Sequence, residues 1–272
     1  MMHKGFTVLL ILIIASTALI GAQGVSEGVL ADTEASASRY DSYAGKSVMS
    51  PAIVASTSWV GAIVRAAGAT RVQVLAPIEL RHPPEYDFSP QDIIQASRAD
   101  LVFWAGYEGF IRNLTSAARI ADKQVVQVQT NNAPDVLADS VSAVAALLGT
   151  TDHYQRWKLQ LDEISSAMLD GAQQTEVEKI TVAVQFHQQS LIRYLGYDVI
   201  AVFGPQELSL RDVTMIEALN PDIIIDNWHS PQGQPFDRPT RRYVQLINFP
   251  GPFGTETLID VLAWNASKLG LL

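Results

Sequence analysis

Ser89-Pro90-Gln91-Asp92-Ile93-Ile94-Gln95-Ala96-Ser97-Arg98-Ala99-Asp100-Leu101-Val102-Phe103-Trp104 is answered later in the chain by Ser209-Leu210-Arg211-Asp212-Val213-Thr214-Met215-Ile216-Glu217-Ala218-Leu219-Asn220-Pro221-Asp222-Ile223-Ile224-Ile225-Asp226-Asn227-Trp228. Each copy starts with a Ser suited to capping a helix N-terminus, because its hydroxyl can accept from the free amides of the first turn. A short amphipathic helix follows, and then an Asp opens an apolar run suited to a buried parallel strand. One α-β unit is used twice, which predicts two α/β halves. Strand ends facing the crevice between such halves are where a ligand binds.

Working outward, strand-like and helix-like segments alternate on both sides of the first copy. Ile53–Ser58, Arg71–Leu75, Leu101–Trp104 and Gln124–Val128 read as extended, with helices at Trp59–Ala67, Pro90–Ser97 and about Glu108–Ala121. Such alternation implies a parallel sheet covered by helices. An alanine-rich helix is expected from about Asp139 to Leu148. Thr150-Thr151-Asp152 then reads as the cap of a long amphipathic helix through Tyr154, Trp157, Leu161, Ile164 and Met168. Beyond Lys179 the alternation resumes, with strands at Ile180–Gln185, Asp198–Val202, Asp222–Asp226 and Tyr243–Ile247, helices at Gln188–Leu195, Ser209–Leu219 and Thr255–Leu269, and an irregular loop at Pro231–Pro239. The expected architecture is α/β, with two similar lobes of parallel sheet flanked by helices, joined by a long rigid backbone helix, with the ligand cleft between them.

The N-terminus bounds the location. Lys4 precedes an uncharged apolar run from Phe6 to Ala22, the layout of a secretory signal or of an uncleaved anchor. The expected division is a signal or anchor over residues 1–24, a Ser/Ala/Gly-rich flexible tether over 25–50, a first lobe over 51–150, a linking helix over 151–175 and a second lobe over 176–272. An extracytoplasmic location follows, in the periplasm or on the outer face of the cell membrane. The chain has no Cys, hence no acylated lipobox cysteine, no disulfide and no thiolate metal site; a metal would be held by His, carboxylate or water. The formal net charge is −9. Such a surface argues against nucleic acid or anionic lipid as a partner and is permissive for cations.

Nothing in the sequence resembles a catalytic engine: there is no nucleophile elbow, phosphate loop, His-Glu-x-x-His or dinucleotide fingerprint. A binding protein rather than an enzyme is expected. Among candidate ligand-binding residues, His187 directly follows an apolar strand, placing it at the carboxyl edge of the second sheet as either a metal donor or a helix cap. His82 and Glu85 share a proline-stiffened loop, Arg81-His82-Pro83-Pro84-Glu85-Tyr86-Asp87, which reads equally as a preorganised metal site or a solvated turn. Asp226 and His229 follow the strand of the second copy. Asp226 is expected to face the cleft and His229 to decorate the surface.

Taken in order, Ile53-Val54-Ala55-Ser56, Tyr86, Ser89-Pro90-Gln91-Asp92-Ile93, Ala99-Asp100-Leu101-Val102-Phe103, Gly106-Tyr107-Glu108, Phe186-His187, Arg193-Tyr194-Leu195-Gly196, Glu207-Leu208-Ser209-Leu210-Arg211-Asp212-Val213 and Trp264-Asn265 resemble the zinc- and manganese-binding solute receptors of ABC importers. The resemblance covers about residues 50–272. It implies a monomeric receptor that captures a divalent transition metal between its lobes and delivers it to a membrane permease. Such receptors usually draw one metal ligand from each of four places. The third matches His187. The first falls on Pro84, with His82 and Glu85 beside it; the second falls near Asn131-Asn132-Ala133-Pro134-Asp135, and the fourth near Asn248-Phe249-Pro250-Gly251. A rebuilt site would combine His82 or Glu85 with His187 and Asp226 or His229, water completing the shell. The alternatives are a metal chelate or organic solute held against Trp59, Trp104, Tyr107 and Trp228, with Trp59 the one best explained as lobe core, or a surface adhesion protein with a vestigial cleft.

Overall fold

A computed structural model describes residues 50–77, 80 and 86–272. Residues 1–49, and with them the expected signal or anchor, lie outside the described residues, as do His82 and Glu85. No helix among the described residues is long and apolar enough to cross a membrane.

Two four-stranded parallel sheets form the frame. The first contains β1 (Ile53–Ala55), β2 (Val72–Val74), β3 (Leu101–Trp104) and β4 (Val125–Gln127) in the order β2-β1-β3-β4; the second contains β5 (Thr181–Gln185), β6 (Asp198–Phe203), β7 (Ile223–Asn227) and β8 (Arg242–Leu246) in the order β6-β5-β7-β8. The two orders are the same, strand for strand. In each sheet the order reverses beside the first strand, so β1/β3 and β5/β7 are the switch points at which ligands gather in open α/β sheets.

The repeated phrase occupies equivalent places. Its helices are α2 (Pro90–Ser97) and α7 (Leu210–Leu219), and both begin in a full capping box, Ser89 with Asp92 and Ser209 with Asp212. The Asp that opens each following strand fastens the neighbouring one: Asp100 accepts from the Ala52 amide at 2.7 Å, ahead of β1, and Asp222 accepts from the Thr181 amide at 2.8 Å and hydroxyl at 2.7 Å, at the start of β5. A short carboxylate satisfies a strand-entry amide that the ladder leaves unpaired.

The remaining helices are α1 (Ser58–Ala66), α3 (Gly109–Ala117), α4 (Pro134–Leu148), α5 (Thr151–Gln174), α6 (Gln189–Tyr194) and α8 (Leu258–Leu269). Side chains alternate across each sheet. Ile53, Ala55, Leu101, Phe103, Val182, Val184, Ile223 and Ile225 turn to one continuous core that also takes Trp157, Leu161 and Met168 of α5. Val54 and Val102 turn to a separate outer core with Phe110 and Leu114, and Ala183 and Ile224 to another with Phe203 and Phe236. Both faces of each sheet are therefore covered, as parallel sheets require. Each fully buried large apolar side chain, such as Phe103 or Leu161, contributes about 1.5–3 kcal/mol.

The long helix α5 packs on α1 and α4 of the first lobe and on α8 of the second. Gly171 permits a close approach here, since a Cβ at that position would sit 2.0 Å from the Leu271 carbonyl oxygen. The C-terminal backbone is thereby pressed onto the connecting helix.

Three local expectations change. Helix α4 starts at Pro134 rather than Asp139, with proline in its first turn. Helix α3 ends at Ala117, and a 3-10 turn at Asp122–Gln124 precedes β4. Thr150 does not cap α5 with its side chain; its hydroxyl donates instead to the Ala67 carbonyl, tying the start of α5 to the end of α1. The loop at Pro231–Pro239 contains a 3-10 turn, Gln234–Phe236, whose Phe236 is fully buried in the outer core of the second lobe.

Candidate functional site

A chamber of about 660 Å³ opens between the lobes, walled by Trp59, Ala105, Tyr107 and the segment Gln127–Asn131 on the first lobe and by Phe186, His187, Gln189 and Ser190 on the second. These are the carboxyl ends of β3, β4 and β5 and the start of α6, with Trp59 from the first turn of α1.

His187 is exposed on this wall. Its presentation is built by Gln185, the fully buried last residue of β5, whose side-chain oxygen accepts from the His187 amide at 2.7 Å and whose nitrogen donates to Gln232 at 2.8 Å. Gln185 is thus the cap of this turn, and the His187 ring lies edge-on to Phe186 at 5.4 Å.

On the facing lobe, Glu108 is fully buried and accepts from the Ser56 hydroxyl at 2.6 Å and from the Ala105 amide at 3.1 and 3.0 Å. It joins the ends of β1 and β3 and so fixes the Gly106-Tyr107 corner. Gly106 has φ +97°, and a Cβ there would meet the Gln127 side chain at 2.2 Å. Tyr107 is 53% exposed as a whole. Protein surrounding its hydroxyl nevertheless pushes the phenol up to about 12, with the Thr130 hydroxyl opposing the shift and the Glu108 carboxylate adding to it. Tyr107 is therefore a permanent O–H donor at neutral pH.

Asp226 and His229 are placed differently from His187. Asp226 is fully buried; its oxygens accept from the amides of Asn227, Gln232 and Gly233 at 2.8, 3.2 and 2.9 Å and from the Tyr243 hydroxyl at 2.6 Å. It organises the loop after β7 rather than facing the chamber. Burial, followed by this bond to Asp226, raises the Tyr243 phenol. His229 is 4% exposed, not surface decoration; its Nδ1 accepts from the Asn248 amide at 3.2 Å and its ring lies on Phe249 at 3.6 Å. Among the described residues, no group of three or more His, Asp or Glu is arranged to hold a metal ion.

Neutral amides occupy the ground where the resemblance places the second and fourth ligands. Asn132 donates to the carbonyls of Ile247 at 3.3 Å and Asn248 at 2.9 Å, from one lobe to the other. Gln188 donates to the Asn248 side-chain oxygen at 2.6 Å and to the Leu246 carbonyl at 3.3 Å, while Asn265 holds both the amide and the carbonyl of Ile247 at 2.9 Å. Asn131 adds a further interlobe bond, to the Ser190 hydroxyl at 3.0 Å, and Trp59 meets Phe249 at 6.1 Å between ring centroids. The position after β5 holds an imidazole, and the two other described positions hold carboxamides, Asn132 bonding across to the Asn248 backbone carbonyl and the Asn248 side chain bonding Gln188 within its own lobe.

The expected aromatic surface is rearranged as well. Trp59 is core, 5% exposed, and also lines the chamber with Tyr107. Trp104 instead packs in the outer core of the first lobe under Arg112, and Trp228 meets His229 and Phe253. Phe186, 46% exposed in the 3-10 turn after β5, is the chamber aromatic absent from the expected set.

Comparison with known proteins places this geometry. A family model described as zinc-uptake complex component A, periplasmic, matches residues 53–156. The fold is similar to the periplasmic zinc-binding protein TroA of Treponema pallidum (18% identity, TM-score 0.63, 81% of this chain and 98% of that one). It is also similar to the laminin-binding protein Lmb of Streptococcus agalactiae, a bifunctional protein with adhesin and metal-transporting activity (15%, 0.64, 82% and 100%). A third is the Mn-bound periplasmic metal-binding protein of Candidatus Liberibacter asiaticus (16%, 0.60, 82% and 100%). Comparison with curated proteins gives no match. Over residues 53–156 the chain matches the family of periplasmic zinc-uptake components, and its two lobes and long α5 have the fold of the periplasmic zinc- and manganese-binding proteins.

Proposed function

We propose that this protein is the extracytoplasmic substrate-binding receptor of an ABC importer, capturing a divalent transition metal, zinc or manganese, between its lobes and handing it to a membrane permease. It binds and releases, without turnover. The observation that carries the reading is the position of His187: an exposed imidazole at the β5 end of a switch point, on the wall of the interlobe chamber. Imidazole suits zinc, and carboxylate, carbonyl and water oxygens suit manganese. His187 is the anchor donor in this reading, with His82 and Glu85 of the first-lobe loop as further donors. Asp226 and His229 serve by holding the second-lobe loops around it. The exposed His153 at the start of α5 has no part in the site.

The test is a thermal-shift titration of metal-stripped protein with Zn²⁺ and Mn²⁺, each supplied both bare and complexed to a small chelator. Ligand at 100 times its dissociation constant stabilises by about 2.7 kcal/mol. A rise in Tm that disappears in His187→Ala is expected. No rise with either metal in either form would refute the metal reading.

A further inference from the structure

The wall that carries His187 is bonded to a loop behind it. His187 sits in the 3-10 turn Phe186–Gln188, and its backbone amide donates to the Gln185 side-chain oxygen at 2.7 Å. A backbone N–H can only donate, so this bond fixes which end of the Gln185 carboxamide is oxygen. The nitrogen end must then point away, and it donates to the Gln232 side-chain oxygen at 2.8 Å. Gln232 is oriented in turn, its own nitrogen donating to the Ser230 hydroxyl at 2.8 Å. One donor at the chamber thus sets the direction of two carboxamides behind it.

These bonds are enclosed by three strand ends. Gln185 is fully buried at the end of β5, and Ser230 and Gln232 are half-buried in the loop after β7. Neither Gln185 nor Gln232 is among the residues lining the chamber. Gly204, just past β6, lies against their junction: a Cβ there would come within 2.7 Å of the Gln232 oxygen and 3.2 Å of the Gln185 nitrogen. The Gln232 backbone is held as well, its amide donating to Asp226 at 3.2 Å while the Gly233 amide donates to the same carboxylate at 2.9 Å. On the other side of the turn, Gln188 donates to the Leu246 carbonyl and to the Asn248 side chain. The backbone that carries the imidazole is therefore clamped before and after His187, and the clamp before it has its footing in the loop after β7.

We infer that Gln232 is a positioning residue for the metal: acting through Gln185, it sets where the His187 imidazole stands, so that loop 230–233 controls metal affinity from behind the chamber wall. A donor nitrogen that must meet an ion at about 2 Å tolerates little displacement. Groups one shell behind a metal ligand typically change affinity by about 10–100-fold. Gln185 holds the backbone of the ligand and Gln232 stands one bond further back, which places the effect of Gln232 at the lower end, about tenfold. This inference rests on the receptor reading above and assigns the control of its affinity.

The experiment compares wild type, His187→Ala, Gln232→Met and Gln232→Glu by two measurements on the intact, metal-stripped protein. Isothermal titration calorimetry with Zn²⁺ and with Mn²⁺ reads affinity. Amide hydrogen exchange followed by NMR, without metal, reads the protection of the His187 N–H. Gln232→Met keeps the length of the side chain and removes the oxygen that accepts from Gln185. Metal affinity should fall about tenfold, and the His187 amide should exchange about fivefold faster or more while the amides of β5 exchange as in wild type. Gln232→Glu keeps an accepting oxygen and should bring both readings most of the way back, a rescue that a general disturbance of the loop would not show. Unchanged metal affinity or unchanged His187 exchange in Gln232→Met would overturn the inference and leave the receptor reading standing. A loss that Gln232→Glu fails to restore, or faster exchange throughout β5, would do the same. Metal binding that His187→Ala leaves intact, or no binding of either ion by wild type, would overturn both.

Discussion

The Asn132 carboxamide donates to the Asn248 carbonyl oxygen at 2.9 Å, joining the two lobes through residues 116 positions apart. Both residues are buried, and both stand where the resemblance places metal ligands. The interlobe connection is thus made by the protein's own amide groups. Asn132→Ala would leave the Asn248 carbonyl without this donor, while Ile247 keeps its bond from Asn265, and should cost about 1–3 kcal/mol, measured by urea unfolding. Asn132→Asp should cost more, since it turns a carboxylate toward two carbonyl oxygens.

Asp226 and His187 should separate stability from binding. Asp226→Ala removes the acceptor of three backbone amides and the Tyr243 hydroxyl, and should destabilise by about 3 kcal/mol or more, in the range of broken buried networks. Tyr243→Phe tests the same network more gently, at about 1.5–3 kcal/mol for a bond to a charged group. His187→Ala should change unfolding stability by no more than about 0.5 kcal/mol, as expected of an exposed position, while abolishing the metal-dependent rise in Tm. Denaturation curves of the three variants without metal check all three expectations.

Gly171→Ala should reverse the usual rule. In a helix interior this change ordinarily stabilises by about 1 kcal/mol. In α5 the new methyl would lie 2.0 Å from a backbone carbonyl oxygen, that of Leu271. A backbone atom cannot swing aside as a side-chain tip can, so Tm should fall rather than rise.

Acid should weaken the second α-β repeat. Hydrogen bonds from the Ser209 side chain and backbone hold the Asp212 carboxyl below its ordinary value, and those from the Thr181 side chain and backbone do the same for Asp222. A carboxyl lowered on folding adds stability above its unfolded value, about 3.9, and that stability is lost as pH falls through the folded value. Chemical denaturation should therefore show stability declining below about pH 4. The decline should be shallower in Asp222→Asn, which no longer titrates at that position.

The repeated units were legible because each carries its own local signals. A Ser-to-Asp capping box and an Asp before an apolar run are both visible in the sequence, and the structure gives Asp100 and Asp222 the same task at β1 and β5. The start of α4 also had a readable signal, the proline at position 134, although alanine content further along drew attention to residue 139. The cleft was harder. His187 could be placed from its strand, but Asn132, Gln188 and Asn248 resemble ordinary turn residues until tertiary structure brings them together. Nothing local marks His229 as buried either, since its burial comes from Phe249 and Asn248, far along the chain.

The most direct test of the central claim is the thermal-shift titration of wild type beside His187→Ala, with Zn²⁺ and Mn²⁺. A receptor anchored at the interlobe chamber predicts a raised Tm in the wild type and no rise in the variant. An equal rise in both proteins would place the metal somewhere other than His187, and no rise in the wild type would contradict metal capture altogether.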